Sequence, residues 1–311
     1  MSNIVIAGIT QIETIVKVKE IPVSYAPFTP APDTIFTAPG GDAYNMSLAM
    51  SWLGDRVEFM TVVGRDQNLG IFNPPGREVT LSTNYVLPIM RETPMEVILF
   101  DRMRRQQVFE DLKDIREATF NVELARPRVE EADLVVLSNA NFCRPFIKLA
   151  RDNGKKIAVK IHHFDYEKEI YNEDFLQNAD ILYFSDNTIE EDPFDFVGQM
   201  AEKYHPEIIQ LGQGEKGQIM YSRQNDTKVH YNPVAAPKVD NTAGAGNASF
   251  ACFLHYYLKN QDPVEAVKKS LMFAANKIGY TGTSKGFMSE EQLEQWERLV
   301  FDPANTAQWK T

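Results

Sequence analysis

Cysteine is scarce in this chain of 311 residues, which contains only Cys143 and Cys252. The two lie far apart in the sequence, and they fit reduced thiols in a protein core better than a disulfide framework. We therefore expect a cytoplasmic protein. Histidine is scarce as well, and the five histidines show no metal-ligand spacing. His162 and His163 are interpreted as a loop pair rather than as a site.

Basic residues are outnumbered by acidic ones. The chain has 32 Lys and Arg against 43 Asp and Glu, which gives a formal net charge of −11 at pH 7. No basic stripe offsets this balance, so neither nucleic acid nor an anionic membrane surface is expected as a partner. The sequence also lacks an apolar run of membrane-spanning length, and the strand-like residues 4–7 begin the chain without a signal-peptide pattern.

Two common nucleotide-binding motifs are absent. The first predicted strand is followed by Gly8-Ile9-Thr10-Gln11 and not by Gly-x-Gly-x-x-Gly, which disfavours a dinucleotide-dependent oxidoreductase. Residues 212–217 contain three glycines, but no Gly-Lys-Ser/Thr opens a helix there, so they are not a Walker A loop. A further strand is predicted directly after them, at 218–221.

What the chain does contain is an alternation of short apolar strands with helices. The predicted strands cover residues 3–8, 57–63, 133–137, 156–161, 180–184 and 207–211. The predicted helices cover residues 43–53, 144–153, 195–204, 247–260, 263–279 and 289–299. This order predicts an α/β fold with a doubly wound, mostly parallel sheet, which binds ligands at the carboxyl ends of its strands.

Two segments interrupt the alternation. Residues 14–37 and about 85–109 hold short β-type runs and several prolines, but no convincing helix. We interpret them as a small β lid inserted into a single domain that covers residues 1–311, with lid boundaries at about 12–38 and 85–110. The alternative is two irregular surface excursions. A lid sheet would have exposed edges, so a homodimer through the lid is a further hypothesis.

The most informative stretch is residues 240–250, which are mostly Thr, Ala, Gly and Ser and lead into a predicted helix. Small residues let a bulky ligand approach the backbone, and a helix N-terminus attracts an anion such as phosphate. The alternative is a tight turn in which Asn247 is an ordinary N-cap.

Two other groups of polar residues are candidates for ligand binding. Gly40-Gly41 comes before the first long helix, where Asp42 and Asn45 would offer polar groups to a polyhydroxylated ligand. Alone, this is equally a hairpin turn before a capped helix. Asn187 to Glu190 follows a strand, in a loop where a carboxylate could hold hydrated Mg²⁺, although the same residues commonly start a helix.

Taken in order, these elements resemble the ribokinase-like (PfkB) family of carbohydrate kinases over nearly the whole chain. The residues similar to the first family signature are Gly40-Gly41, Asn45, Leu53-Gly54, Val63-Gly64 and Asp66. Asn187 and Glu190 are similar to the magnesium motif of the family. Residues 214–217 are similar to its nucleotide-side turn, and residues 240–246 are similar to its second signature.

The resemblance implies ATP-dependent phosphoryl transfer, with Mg²⁺, to a hydroxyl of a sugar or sugar-like small molecule. It implies an anion hole made by the backbone N–H groups of Gly244, Ala245 and Gly246, and metal binding by Glu190. For substrate binding it implies Glu13, Gly41, Asp42 and Asn45. For nucleotide binding it implies Asn187, Gly214, Gly217, Thr242 and Asn276. Which sugar is bound is not readable from the chain.

One departure from the family pattern bears on activity. Asn247 stands where the family carries the catalytic aspartate, and a carboxamide cannot usefully accept the proton of the substrate hydroxyl. We therefore expect a kinase of reduced activity or, as the alternative, a non-catalytic sugar- or nucleotide-binding pseudokinase that acts through a partner. Lys160, where many family members have an acidic residue, and Gly212, in place of a usual Thr, favour natural divergence over an engineered substitution at Asn247.

Overall fold

The computed structural model describes residues 1–66, 69–73, 78–162, 164 and 169–301. Within them the chain forms two sheets and a set of flanking helices. The strands are β1 (Asn3–Ala7), β2 (Gln11–Lys17), β3 (Ile35–Gly40), β4 (Arg56–Gly64), β5 (Tyr85–Met90), β6 (Met95–Phe100), β7 (Gln106–Asp111), β8 (Leu134–Ser138), β9 (Lys156–Lys160), β10 (Ile181–Ser185), β11 (Ile208–Gly212), β12 (Gln218–Ser222) and β13 (Thr227–Tyr231). The α-helices are α1 (Asp42–Trp52), α2 (Arg126–Glu131), α3 (Arg144–Asp152), α4 (Glu169–Gln177), α5 (Pro193–Tyr204), α6 (Ala245–Asn260), α7 (Pro263–Lys277) and α8 (Glu290–Phe301).

The large sheet has the strand order β13-β12-β11-β10-β9-β8-β1-β4-β5. Its strands pair in parallel from β11 to β5, while β12 and β13 pair antiparallel at one end. The prediction of a doubly wound, mostly parallel α/β sheet is therefore confirmed. None of the helices in the described ranges is long and apolar enough to cross a membrane.

Alternate residues of the central strands pack into two separate cores, one on each face of the sheet. In β1, Val5 belongs to the same cluster as Phe146 of α3, whereas Ile6 belongs to the cluster that contains Phe250 of α6. Because successive side chains of a strand point to opposite faces, helices must cover both faces. This double burial explains why the strands are nearly continuous apolar runs.

The glycine-rich loop enters its helix earlier than the sequence indicated. The predicted helix 247–260 begins at Ala245, and Gly244 is its N-cap with a left-handed φ of 78°. Asn247 therefore lies in the first turn of α6 and is not an N-cap.

The small sheet consists of β2, β3, β6 and β7 in the order β3-β2-β6-β7. It unites residues from both inserted segments, but the predicted second segment was too long. Residues 85–90 form β5, which pairs in parallel with β4 at the edge of the large sheet, so the lid segment begins at Met95. Pro88 in β5 misled the prediction, because an edge strand tolerates the missing N–H of proline.

Candidate active site

The candidate site lies at the edge of the large sheet where the parallel strands end. β9 ends at Lys160 and β8 at Ser138, and the N–H of His162 donates a hydrogen bond to Asn139 Oδ1 (3.0 Å), so the loops after these strands meet. This is the edge at which open parallel sheets bind ligands. The lid sheet contributes residues to the same place.

Glu13 and the two glycines before α1 fit together closely. The N–H of Gly41 donates to Glu13 Oε1 over 2.6 Å, and a Cβ on Gly40 would lie 2.1 Å from the Glu13 carboxyl carbon. Gly41 has a φ of 89°, and a Cβ there would lie 2.8 Å from the carbonyl oxygen of Ile9. Both glycines are therefore required if the carboxylate is to lie against this turn. The sequence placed Glu13, Gly41, Asp42 and Asn45 on the substrate side, and the structure brings all four together.

Asp42 is the centre of a buried charge network. Its Oδ1 lies 2.8 Å from Lys160 Nζ, and its Oδ2 lies 3.1 Å from Nδ1 of His162. The other ring nitrogen of His162 lies 2.7 Å from Oε1 of Glu110 in the lid. Lys160, a departure from the family pattern, is thus the counter-ion of Asp42.

These contacts shift the pKa values of Asp42 and His162. Burial alone would raise the pKa of Asp42, but the neighbouring Lys160 and His162 outweigh it and hold that pKa far below its usual range. Burial alone would lower the pKa of His162, but Asp42 and Glu110 outweigh it and raise the pKa to about 10. His162 is therefore cationic at neutral pH, and the Asp42 carboxylate beside it is charged.

His162 corrects the sequence analysis, which interpreted the pair 162–163 as an ordinary loop pair. The ring of His162 joins the main domain to the lid through its two carboxylate contacts. No local pattern indicated this role, because Asp42 is 120 residues away along the chain. His163 lies outside the described residues.

A row of carboxylates crosses the inner face of the lid. Glu13 of β2 is the direct cross-strand neighbour of Glu96 of β6, and Glu96 is in turn the neighbour of Glu110 of β7. Nε2 of Gln11 lies 2.5 Å from Oε2 of Glu96 and 3.5 Å from Oε1 of Glu13. Glu96, Glu110 and Gln11 were not among the predicted site residues.

Burial raises the pKa values of Glu13 and Glu96 in this row. Burial is the main cause for Glu13, whose pKa is raised although hydrogen bonds from Thr283, Gly41 and Gln11 oppose the shift. Burial and the charge of Glu13 together raise the pKa of Glu96 to about 8.

Thr283 connects this carboxylate row to the glycine-rich loop. Its hydroxyl donates a hydrogen bond to Glu13 Oε2 and lies 3.5 Å from Asn45 Oδ1. Its backbone packs against Gly244, where a Cβ would lie 2.8 Å from the Thr283 carbonyl oxygen. The substrate-side residues and the N-terminus of α6 are therefore neighbours. Thr283 was not predicted from the sequence.

The glycine-rich loop presents the start of α6. The N–H of Ala245 donates to the carbonyl of Thr242 (3.2 Å), which closes the turn and leaves Gly246 and Asn247 as the next N–H groups of the first helical turn. A Cβ on Gly246 would lie 2.8 Å from the hydroxyl of Tyr183. The hydroxyl of Thr242 accepts a hydrogen bond from Gln106 of the lid.

Asn247 lies in this first turn with 8% of its surface exposed. Its Oδ1 is buried and has no hydrogen-bond partner among the residues that the structure describes. A buried carboxamide oxygen normally has a donor, so the side chain has one acceptor to spare for a ligand.

Lys277, at the end of α7, supplies a buried cation to the same loop. Its ammonium donates hydrogen bonds to the carbonyl oxygens of Ala243 and Gly282, the latter over 2.9 Å. The side chain is fully buried, and burial lowers its pKa to about 7, although the charge of Glu13 opposes the shift. No local pattern in the sequence indicated this residue.

The residues expected on the nucleotide side lie around the adjoining strand ends. Gly214 and Gly217 bound a single 3₁₀ turn between β11 and β12, both with positive φ (56° and 95°). Asn276 donates from Nδ2 to the carbonyl of Gly286 (3.0 Å) and lines an open groove of about 530 Å³. Lys238, Tyr280 and Lys285 are among the other residues that line it.

Asn187 and Glu190 lie in the loop after β10, next to the end of β11, and both are exposed. The described residues contain no group of three or more His, Cys, Asp or Glu that could hold a metal ion by themselves. A single exposed carboxylate does fit Mg²⁺, which usually keeps several waters and is bound through one or two carboxylates together with substrate phosphates.

Known proteins that are similar to this chain include kinases. A deoxyribokinase of Salmonella typhi is 39% identical over 86 residues, but this match covers only 28% of the chain and 27% of the relative. The fructosamine kinase FrlD of Bacillus subtilis is 20% identical over 251 residues, which are 78% of the chain and 85% of the relative.

Among solved structures, a ribokinase of Arabidopsis thaliana complexed with ribose and ATP superimposes with a TM-score of 0.77 at 16% identity, over 94% of this chain and 98% of that one. At this identity the likeness shows the fold. Residues 1–290 match the description "pfkB family carbohydrate kinase". The chain therefore belongs to the pfkB family of carbohydrate kinases.

Proposed function

We propose that this protein transfers the terminal phosphoryl group of ATP to a hydroxyl of a sugar or sugar-like small molecule. The observation that carries the proposal is the contact of Thr283 with both halves of the site. Its hydroxyl donates to Glu13 on the substrate side, and its backbone packs against Gly244 at the start of α6. A substrate hydroxyl held by the first half lies beside an anion held by the second.

The substrate half is suited to a polyhydroxylated ligand. Glu13, Asp42 and Asn45 are almost completely buried, and together they offer carboxylate and carboxamide groups. The Asp42 carboxylate is held in place by Lys160 and His162. Buried groups that are fixed in this way orient hydroxyls without a large loss of side-chain entropy on binding.

The phosphoryl half is the N-terminus of α6. The N–H groups of Gly246 and Asn247, with the positive end of the helix dipole, would stabilise the charge that spreads over the transferred phosphoryl oxygens. Gly246 lets the start of α6 lie against Tyr183, because a Cβ there would lie 2.8 Å from the Tyr183 hydroxyl.

The nucleotide and its metal would lie on the far side of this loop. We assign Gly214, Gly217, Thr242 and Asn276 to the nucleotide, with Asn276 in the wall of the open groove. Glu190 and Asn187 would orient Mg²⁺ through water. When bound, the ion would neutralise charge on the phosphates.

Asn247 limits the rate of the proposed reaction. Its unpartnered Oδ1 can accept a hydrogen bond from the substrate hydroxyl and orient it, but a carboxamide does not take up the proton. Positioning and electrostatics supply most of the catalysis of phosphoryl transfer, so reduced activity is expected rather than none. The same residue favours the second candidate function, a non-catalytic sugar- or nucleotide-binding protein that acts through a partner.

The proposal includes a cytoplasmic location and a homodimer formed through the lid. The edges of the lid sheet are β3 and β7. β7 is largely exposed, and its Val108 and Phe109 present about half of their surface. A second copy that paired with this edge would cover its free N–H and C=O groups. Light scattering tests this part, and a monomer at micromolar concentration would contradict it.

A product screen tests the function itself. The protein is incubated with ATP and Mg²⁺ and with pentoses, hexoses, amino sugars, sugar acids and nucleosides, and phosphorylated products are detected by mass spectrometry. Nucleotide affinity is measured in parallel by calorimetry. Any phosphorylated sugar supports the kinase. If ATP binds without any product, or if ATP does not bind, the non-catalytic function is supported instead.

A further inference from the structure

If Glu13 and Glu96 are both ionised, the carboxylate row of the lid has more negative charge than its neighbours balance. Glu110 is paired with His162, but the hydrogen-bond donors to Glu13 are the N–H of Gly41, the hydroxyl of Thr283 and the amide of Gln11, which are all neutral. Glu96 likewise receives its hydrogen bond from the neutral Gln11 amide. Lys277 of α7 is a cation near Glu13, but its ammonium group donates its hydrogen bonds to two carbonyl oxygens.

This arrangement is unfavourable for the protein on its own. Like charges directly opposite each other on neighbouring strands destabilise a sheet, and Glu13 and Glu96 form such a pair when both are ionised. Glu13 is in addition only 5% exposed. Burial of a carboxylate without a cation costs free energy of folding. Such unpaired groups are expected at functional sites, where a bound ligand can supply the cation.

Two buried amides also lack partners at this place. Gln11 and Asn45 are each 1% exposed. Oε1 of Gln11 and Nδ2 of Asn45 have no hydrogen-bond partner within the described part of the chain. The other ends of these two amides contact Glu96 and Thr283 respectively. The unused donor and acceptor therefore lie beside the carboxylate row, which points to a polar ligand bound there.

We infer that the substrate is a sugar-like molecule that carries an amine, and that its ammonium group lies against Glu13 and Glu96. This inference rests on the proposed function for the transfer step, but not for binding. Neighbouring strands are about 4.8 Å apart, so one ammonium can contact both carboxylates. Hydroxyl groups of the same ligand would satisfy Gln11 and Asn45.

Binding without ATP tests the inference directly. Calorimetry compares glucosamine with glucose and N-acetylglucosamine, and 1-amino-1-deoxyfructose with fructose, so that each amine has a neutral analogue of similar shape. We expect the amine to bind about ten- to a hundredfold more tightly, which is the usual effect of a hydrogen bond to a charged group. In Glu96→Gln this preference should shrink to a few fold or less.

Glu92→Gln is the matched control, because Glu92 lies on the surface just before β6 and its partner Lys113 is 3.2 Å away, with 64% of the Glu92 side chain exposed. It should keep the full preference for amines. Equal affinity for the amine and its neutral analogue in both pairs would overturn the inference, as would no amine binding at millimolar concentration or an unchanged preference in Glu96→Gln.

The measurements distinguish failure of the amine-binding inference from failure of the proposed kinase function. If the amine-bearing sugars bind but are not phosphorylated in the presence of ATP, the inference stands and the kinase function fails. If neutral sugars are phosphorylated and bind as tightly as the amines, the kinase function stands and the inference fails.

Discussion

The ammonium group of Lys277 donates a hydrogen bond to the carbonyl oxygen of Ala243, the residue directly before the N-cap glycine of α6. A second hydrogen bond to Gly282 fixes the ammonium from the other side. The lysine therefore holds the loop whose next N–H groups would face the phosphates. It also places a positive charge near the helix terminus proposed to bind the anion, and both effects would favour phosphate.

The first prediction concerns Lys277→Met, which keeps the length of the side chain and removes the ammonium. Two buried carbonyl groups lose their donor, so the free energy of unfolding should fall by about 1–3 kcal/mol. Loss of the nearby charge should weaken nucleotide binding by about tenfold. Chemical denaturation and calorimetry measure the two effects.

The pKa of Lys277 also predicts the direction in which nucleotide affinity changes with pH. Because the pKa is about 7, the ammonium is charged at pH 6 and mostly neutral at pH 9. Nucleotide binding by the wild type should therefore weaken over this range more than binding by Lys277→Met does. Lys269→Met is the control, since Lys269 is a buried lysine of the same helix whose partner is Glu297. A similar loss of nucleotide affinity in the control would contradict the role of Lys277.

The second prediction concerns Asn247→Asp. A carboxylate at this position could accept the substrate proton, so phosphorylation should rise by roughly 10² to 10⁴. The affinity for the sugar should change little, because the two side chains have nearly the same shape. Initial rates of product formation with both forms, on a substrate found in the screen, measure the change.

Two results would contradict our interpretation of Asn247. Wild-type turnover at ordinary kinase rates of about 1–100 s⁻¹ would show that another group or water takes the proton. No gain in Asn247→Asp, in a protein that still binds both ligands, would show that the metal or the phosphates are not correctly placed.

The sequence predicted the large sheet well because its strands are buried on both faces. Their apolar runs, such as residues 134–137, are difficult to interpret in any other way. The turn at Gly40 and Gly41 was also recognisable, because the need for glycine is local. The lid boundary failed at β5, since proline in an edge strand looks the same in sequence as proline in an irregular segment.

The residues that the sequence missed act over long distances along the chain. Thr283 and its partner Glu13 are 270 residues apart, and Lys277 reaches Ala243 over 34 residues. The row of Glu13, Glu96 and Glu110 depends on the pairing register of three strands. A shift of one residue would turn a side chain to the other face, and the sequence does not specify that register locally.

The third prediction concerns Gly246→Val. The added side chain would meet the hydroxyl of Tyr183, because a Cβ alone would lie 2.8 Å from it. Either the start of α6 shifts or the side chain fills the space for the anion, so nucleotide affinity should fall by at least tenfold. Gly246→Ala with Tyr183→Phe removes the hydroxyl that a Cβ would meet and should regain most of the affinity. Unchanged affinity in Gly246→Val, measured by calorimetry, would refute the anion site.

The last prediction concerns the pH dependence of stability. The pKa of Glu96 rises from its ordinary value of 4.5 to about 8 in the folded protein. The groups that face it are Glu13, Glu110, Asp42 and His162, and only His162 favours the charged form. A raised pKa means that the folded state holds this proton more strongly than the unfolded state does. The contribution of Glu96 to stability is therefore greatest below pH 4.5 and is lost as the pH rises to about 8.

Glu96→Gln removes the titrating group. The free energy of unfolding of this variant, relative to that of the wild type, should therefore increase between about pH 5 and pH 8. Urea denaturation at pH 5, 6.5 and 8 measures the difference, with Glu92→Gln as the surface control that should follow the wild type. If the difference between Glu96→Gln and the wild type does not change with pH, then Glu96 does not hold a proton in the folded state. In that case the negative charge of the lid would be fully present at neutral pH, and amine binding would release no proton, which calorimetry in two buffers of different ionisation enthalpy would show.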